Sequence, residues 1–464
     1  MELEIAKKLI KKYTENHSKV IQNIEIAERY YKKDNDIRYM KKKDEKEAEN
    51  PLRNSDNKIP SNFYKLLVNQ KTAYAFTEKV SFDTGEKQLN DLITEALGDA
   101  FQKKCKSLCV QASNAAVGWL HYWRGDDKKF HYAVIESKQI IPVWTKDLEK
   151  ELYAVLRVYS MLDDRDGSEY IIYEYWTDTQ CESFRRKADD SLEALEYFNQ
   201  YLIIDVDTGV EEYQSVYEHG CGEIPFIFFN NNDEGMNDLT DIKELIDAYD
   251  KVFSGFLNDL EDIQELIFII TNYGGESDNA LQILQEMKSK KVINVESDGA
   301  DDKSGISTLA IEIPVEARKE MLTITRKAIF EQGMGIDPDP QNFGNSSGVA
   351  LKFLYSLLEL KTGFMETEFR ISFNRLIRAI LRFYGKTAKM LDQRWTRTSV
   401  VNEAERADIA QKSKNVISDE TIVRNHPWVE NSESELKKLK AQREALAPAW
   451  DIAPSVRDDG DGEE

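Results

Sequence analysis

The spacing of apolar positions changes several times along this chain, and each change marks an element. Ile5, Leu9, Ile21, Ile24 and Ile26 predict a helix over residues 4 to 31, ending on Tyr30 and Tyr31. Residues 32 to 51 are charged and close on Pro51, so a loop is expected there. Ser61 stands where it could cap a second helix, Asn62 to Ala75, whose stripe is Phe63, Leu66, Leu67 and Tyr74. A further helical pattern covers about Lys87 to Val117.

The period then falls to two. The strings GWLHYWR, KFHYAVIE, LYAVLRVYS, EYIIYEYWT and CESFRR alternate apolar and polar residues between turns rich in Asp and Gly. They predict an antiparallel meander that continues through Tyr201 to Ile204 and Glu211 to Tyr217. Helices before a meander and helices after it make the fold class α+β, mainly helical.

From Asp238 the helical period returns. Leu239, Ile242, Ile246, Tyr249, Phe253, Phe256, Leu260, Ile263 and Ile267 follow a 3-4 spacing, which predicts one long amphipathic helix. Nine carboxylates against two lysines between Asp238 and Glu265 give it an acidic outer face. An insert follows, with the apolar run 266 to 270, a helix Asn279 to Ser289 and strands Lys291 to Glu296 and Ser307 to Ile313. It is too small for a good core of its own, so its strands are expected to pair with another chain. A second helix spans Val315 to Gln332. The breaker-rich string GMGIDPDPQNFGNSS, residues 333 to 347, reads as a loop, and one very long helix runs from Gly348 to about Tyr384. The first half of that helix is apolar almost all round, which implies burial between neighbouring bodies.

The chain has 464 residues, 62 Lys plus Arg, 84 Asp plus Glu and a net charge of −22. That sign disfavours gripping DNA through its phosphates, but suits a wall that DNA must slide past. No apolar run is long enough to cross a bilayer and the N-terminus has no apolar signal core, so a soluble intracellular protein without membrane contact is expected. Cys105, Cys109, Cys181 and Cys221 lack the pairing of a zinc ribbon, and Cys105 with Cys109 reads as two buried thiols.

Catalytic and cofactor chemistry finds little support. The string GNSSGVALK, Gly344 to Lys352, puts its lysine too far from the second glycine for a phosphate-cradling loop. His121 and His131 fit cross-strand packing better than a metal pair, and carboxylate pairs arise by chance among so many acids. Trp119, Trp123, Trp144 and Trp176 have no basic groove beside them and are assigned to packing rather than base stacking. No catalytic residue, cofactor or metal is therefore assigned. Lys352 and Lys361 are the candidate neighbours of DNA, and Asp241, Glu244 and Asp247 the candidate acids of a channel wall.

Four strings, KIPSNFYKLLVNQKTAYAF (58 to 76), GEIPFIFFNNN followed by DLTDIKELIDAYD, GNSSGVALKFLYSLLELK (344 to 361) and NHPWVENSESEL (425 to 436), occur in an order that resembles the portal proteins of tailed bacteriophages of Gram-positive bacteria. The resemblance implies a portal fold: N-terminal helix and wing at 1–236, stem helix 237–265, clip 266–314, second stem helix 315–332, tunnel loop 333–347, long wing helix 348–385, crown 386–450 and an acidic tail 451–464. Within the tunnel loop it singles out Asn342, Phe343, Gly344, Asn345, Ser346, Ser347 and Gly348. It further implies a non-enzymatic homo-oligomer, a ring of twelve subunits at one capsid vertex, through which double-stranded DNA passes without sequence-specific binding. The implied partners are a terminase motor, capsid and scaffolding proteins and a head-tail adaptor, with assembly in the host cytoplasm. Twelve copies at −22 each would carry −264. Two other readings are another head or tail protein such as an adaptor, which has no reason to contain this element order, and a hydrolase or nuclease, for which no convergent site is visible.

Overall fold

A computed structural model describes residues 1–41, 55–165, 167–204, 211–262, 267–271, 305–309, 314–339, 348–397, 403–414, 416–426, 429 and 432–446. The chain divides into two units, Met1–Pro338 with Tyr355–Arg397, and Asp339–Leu354 with Thr398–Glu464.

In the first unit, α1 (Leu3–Tyr31) and α2 (Phe63–Ala75) lie close to the expected bounds. Ser61 does not cap α2: its backbone amide donates to the Asp250 carboxylate at 2.8 Å, so an acid from a distant helix satisfies the chain at the helix start. The single helix expected over Lys87 to Val117 is two, α3 (Lys87–Leu97) and α4 (Phe101–Ala115). Gly98 divides them at φ +67°, a left-handed backbone that glycine adopts without strain.

The meander is not one sheet. β2 (Val117–Arg124) lies between β3 (Phe130–Ile135) and β12 (Phe226–Asn230) in a three-stranded sheet. A second sheet has the order β11-β7-β6-β5-β4, from Val216–Glu218 through Gln180–Lys187, Glu169–Trp176 and Leu152–Leu162 to Ile140–Trp144, with β8 (Glu196–Tyr197) beside β7. β9 (Tyr201–Ile204) and β10 (Glu211–Gln214) pair as a third sheet, and β1 (Ser81–Asp83) lies earlier, between α2 and α3. Strand β4 escaped the alternation reading because Pro142 interrupts it. It occupies the second sheet's edge, where a missing amide is tolerated. Between the first two sheets lie Trp119, Ile140, Val155, Trp176 and Phe226, whereas Trp123 and Tyr153 are exposed.

The largest core joins these strands to helices. Phe101, Cys105, Leu108 and Cys109 of α4 pack with Leu120, Phe229 and the inner face of the helix Gly348–Phe383, whose Met365, Phe369, Phe373, Leu376 and Ile380 are buried. Both α4 cysteines are free and buried. Gly118 allows the close approach of β2 to α4, since a Cβ there would lie 2.8 Å from the Leu108 carbonyl oxygen.

The helix expected from Asp238 begins later, as α5 (Lys243–Asp262), and α6 (Val315–Gln332) packs against it. The apolar run before the insert forms β13 (Ile267–Thr271), antiparallel to β14 (Gly305–Leu309). One edge of β14, which overlaps the strand expected at 307–313, pairs within the same chain, Ile267 opposite Leu309. The expected helix 279–289 and strand 291–296 lie outside the described residues. After α6 comes α7 (Gly348–Phe383), 36 residues and about 54 Å long.

In the second unit, α8 (Glu403–Lys412), α9 (Asp419–Asn425) and α10 (Ser432–Leu446) are helical. Ser418 caps α9 through the Thr421 amide, and Arg443 of α10 pairs with Asp419 at 2.5 Å.

Candidate functional site

The acids read as a channel wall behave differently from one another. Asp241 and Glu244 are exposed. Asp247 instead accepts hydrogen bonds from Tyr30 Oη and, at 2.8 Å, from Lys243. Burial and the bond to Asp247 push the Tyr30 phenol up; Lys243 is raised too, its bonds to Asp247 and Asp36 outweighing burial. Of the neighbouring acids, Asp250 accepts from Asn35 Nδ2 at 2.6 Å, Asp259 pairs with Arg318 of α6, and Glu261 accepts from Asn57 at 2.6 Å. Much of the negative charge of α5 is thus bonded inside the chain, which sequence counting could not show.

The loop residues Asn342, Phe343, Gly344, Asn345, Ser346 and Ser347 lie outside the described residues. Gly348 is the first residue of α7 and Lys352 follows one turn later. The root of the loop is described, and it is held on α2. A Cβ at Gly335 would sit 2.1 Å from Leu67 Cδ2, so only glycine fits without Leu67 moving. Gln70 of α2 donates to the Ile336 carbonyl at 2.7 Å and accepts from its amide at 3.0 Å. Arg326 of α6 grips both oxygens of Asp337, at 3.1 and 2.6 Å.

Lys361 is corrected as a neighbour of DNA. Its side chain is 15% exposed; Nζ lies 3.6 Å from Asp238 Oδ2 and donates to the Gly333 carbonyl at 3.0 Å. Asp238 is also held by Lys71 Nζ at 2.9 Å and by Asn231 Nδ2 at 2.8 Å. Lys71 in turn donates to Asn231 Oδ1 and, at 3.1 Å, to Ser113 Oγ. Burial opposes ionisation of Asp238, yet the Lys361 and Lys71 ammoniums and the Asn231 bond hold its carboxyl well below the usual range. Burial pulls the Lys361 ammonium down, against the pull of Asp238. The sequence carried one readable sign of this cluster. Lys71 stands within the buried stripe Tyr64, Leu67, Val68, Thr72, Ala75 of α2, where an apolar residue would otherwise be expected.

Among the described residues, one face of α7 is exposed. Leu357, Leu360, Phe364 and Ile371 are 38, 48, 55 and 50% exposed, and Arg375, Arg378 and Arg382 continue the same line. At 100° per residue all seven fall within about 60° of the helix circumference. The arginine end borders a groove of about 590 Å³ with Tyr153 and Phe228; Arg382 pairs with Glu223 at 2.7 Å and Arg375 lies over the Phe228 ring at 4.5 Å.

Among the described residues no three His, Cys, Asp or Glu side chains gather to hold a metal ion. His121 and His131 both stack on Trp123, with ring centroids 5.7 and 5.9 Å away. No helix among the described residues is long and apolar enough to cross a membrane.

Residues 10–449 match the family model described as phage portal protein, SPP1 Gp6-like. A portal protein of Clostridium phage phiCD119 is 40% identical over 96% of this chain and 98% of its own length. The portal protein of Bacillus phage SPP1 is 26% identical over 94% of this chain and 86% of its own. Among solved structures, a chain in the neck of a native gene transfer agent particle is similar at a TM-score of 0.39 and 10% identity, covering 78% of this chain and 88% of that one.

Proposed function

The chain belongs to the SPP1 Gp6-like family of phage portal proteins, structural components of the virion, and from that premise we propose that its copies close into a ring whose channel conducts double-stranded DNA during packaging and ejection. In this reading α5 and α6 are the stem, the segment 333–347 is the loop facing the DNA, and a terminase motor, capsid and scaffolding proteins and a head-tail adaptor dock on the ring in the host cytoplasm. The observation that carries the ring is the bare face of α7. Four large apolar side chains in one line are poor company for water, and a helix with arginines continuing that line offers the apolar centre and charged rim of a subunit contact. The opposite face of α7 is already buried in its own core, which leaves the bare face for a different body. In a ring that body is the adjacent copy, meeting α7 through a different surface of its own; such head-to-tail contacts generate closed rings when the rotation closes.

Electron microscopy of the purified protein should show rings with a central hole, and Phe364→Glu with Ile371→Glu should give folded chains that no longer form them. Only monomers from the unaltered protein at high concentration would count against the ring. Rings from the double variant would remove this face from the interface.

A further inference from the structure

The cluster around Asp238 has one carboxylate and two ammoniums, and this imbalance points to a role. Asp238 opens the turn that leads into α5, five positions before its first residue, Lys71 belongs to α2, Ser113 to α4, Asn231 to the turn after β12, and Lys361 to α7. Asp238 and Lys71 are almost wholly enclosed and already neutralise each other at 2.9 Å. A second ammonium brought to the same carboxylate loses hydration and gains only a shared partner, so it adds little to stability. What Lys361 does gain is the bond to the Gly333 carbonyl, at the C-terminal end of α6, where unpaired carbonyls and the helix dipole favour a cation.

We propose that Lys361 is a positioning residue: it ties the end of α6 directly, and the start of α5 through Asp238, to the long helix α7. The two antiparallel helices and α7 then move as one body, and the segment after Gly333 leaves from a fixed point. The remaining bonds at the root support this division of labour. Gln70 fixes Ile336 to α2 and Arg326 fixes Asp337 to α6, but Lys361 is the side chain of α7 that meets the carbonyl of Gly333. Its surroundings are Asp238, Lys71 and the more distant, exposed Asp241. The consequence for DNA transport rests on the portal reading of the segment 333–347, whereas the junction itself does not.

The test compares Lys361→Met, Lys361→Gln and Asp238→Asn in the full-length assembled protein. Lys361→Met removes the donor to Gly333 and leaves Lys71 with Asp238 as a neutral pair. Hydrogen exchange at amides 333–337 should accelerate at least tenfold, with the amides of α2 near Lys71 unchanged and assembly retained. Lys361→Gln keeps a donor without charge and should restore most of the protection, which a purely electrostatic contribution to stability would not do. Asp238→Asn strands two buried ammoniums and should unfold at a lower temperature than either Lys361 variant. Unchanged exchange at 333–337 in Lys361→Met, a Lys361→Met chain that does not fold, or a more stable Asp238→Asn chain would each overturn the proposal. Packaged DNA per particle is the separate readout: a loosened root with normal transport leaves the junction standing and removes the segment from contact with DNA.

Discussion

His121 shows how a single partly buried base sets a pH dependence. Its ring stacks on Phe226 at 4.4 Å and meets Trp176 edge-on at 4.8 Å, and Nδ1 lies 2.8 Å from the Pro225 carbonyl. Burial pushes it down to about 4 although the Pro225 carbonyl pulls upward. The folded state therefore keeps it neutral while the unfolded chain takes a proton below about 6.5, so stability is lost as pH falls from there toward 4. The loss should approach roughly 2 to 3 kcal/mol at the acid end of that window. Pro225 also accepts from the Tyr122 amide at 3.1 Å, so His121→Phe should leave no buried carbonyl unpaired. Denaturation midpoints should then differ less between pH 7 and pH 4.5 than in the unaltered protein, and an equally steep acid loss would assign it to other groups. At this scale the sequence was partly legible. The cross-strand surface packing expected of the two histidines holds for His131 on Trp123, while His121 is instead partly buried against Phe226 and Trp176. Lys361 is a correction, because nothing in a helical pattern says that a lysine on it will meet an aspartate more than a hundred residues away.

At the scale of the element, α5 and α7 each carry two faces with different fates. Of the stripe expected from Leu239 to Ile267, only Ile246 to Leu260 lie in α5, where Ile246 is buried while Phe253 and Leu260 remain exposed; Leu239 and Ile242 are buried ahead of the helix and Ile267 belongs to β13. The acids along this stretch divide likewise. Asp241→Lys with Glu244→Lys changes exposed positions and should alter stability by no more than about 0.5 kcal/mol. It should also introduce DNA retention that weakens with salt, if these acids face the channel. Asp247→Lys places a cation against Lys243 and deprives Tyr30 of its acceptor, and should destabilise by about 2 kcal/mol or more. Thermal unfolding of the two variants separates these effects, and equal losses would contradict the division of the acids described here.

Over the whole molecule, 84 acidic against 62 basic residues leave a net charge of −22, so copies of this chain repel one another at long range. An interface made by the apolar face of α7 acts at short range and is insensitive to ionic screening. Raising salt shortens the reach of the repulsion, from a Debye length of about 14 Å near 0.05 M to about 4 Å near 0.5 M, and leaves the apolar contact in place. Assembly should therefore be tighter at the higher salt, read as the midpoint concentration of ring formation in sedimentation velocity. Tighter assembly at low salt would mean that ion pairs, with the α7 arginines foremost, dominate the contact instead.

Periodicity alone determined the order of the main helices and most strands, because an amphipathic helix or strand announces itself within its own residues. It placed α1, α2, α6 and α7 to within a few residues, and the four strings in their order were enough to indicate the family that the comparisons then showed. The tertiary structure decided everything that depends on who meets whom. It divided one meander into three sheets, placed β4 at an edge despite Pro142, gave β14 a partner in β13, and drew Asp247, Asp250 and Asp259 inward to Lys243, Asn35 and Arg318. It also gathered Lys71, Asp238 and Lys361 into one buried cluster. Those contacts join residues far apart in the chain, and a charge or a strand edge is chemically the same in the sequence whether it ends in water or against a partner; only the packed fold, which sets distance and removes solvent, distinguishes the two.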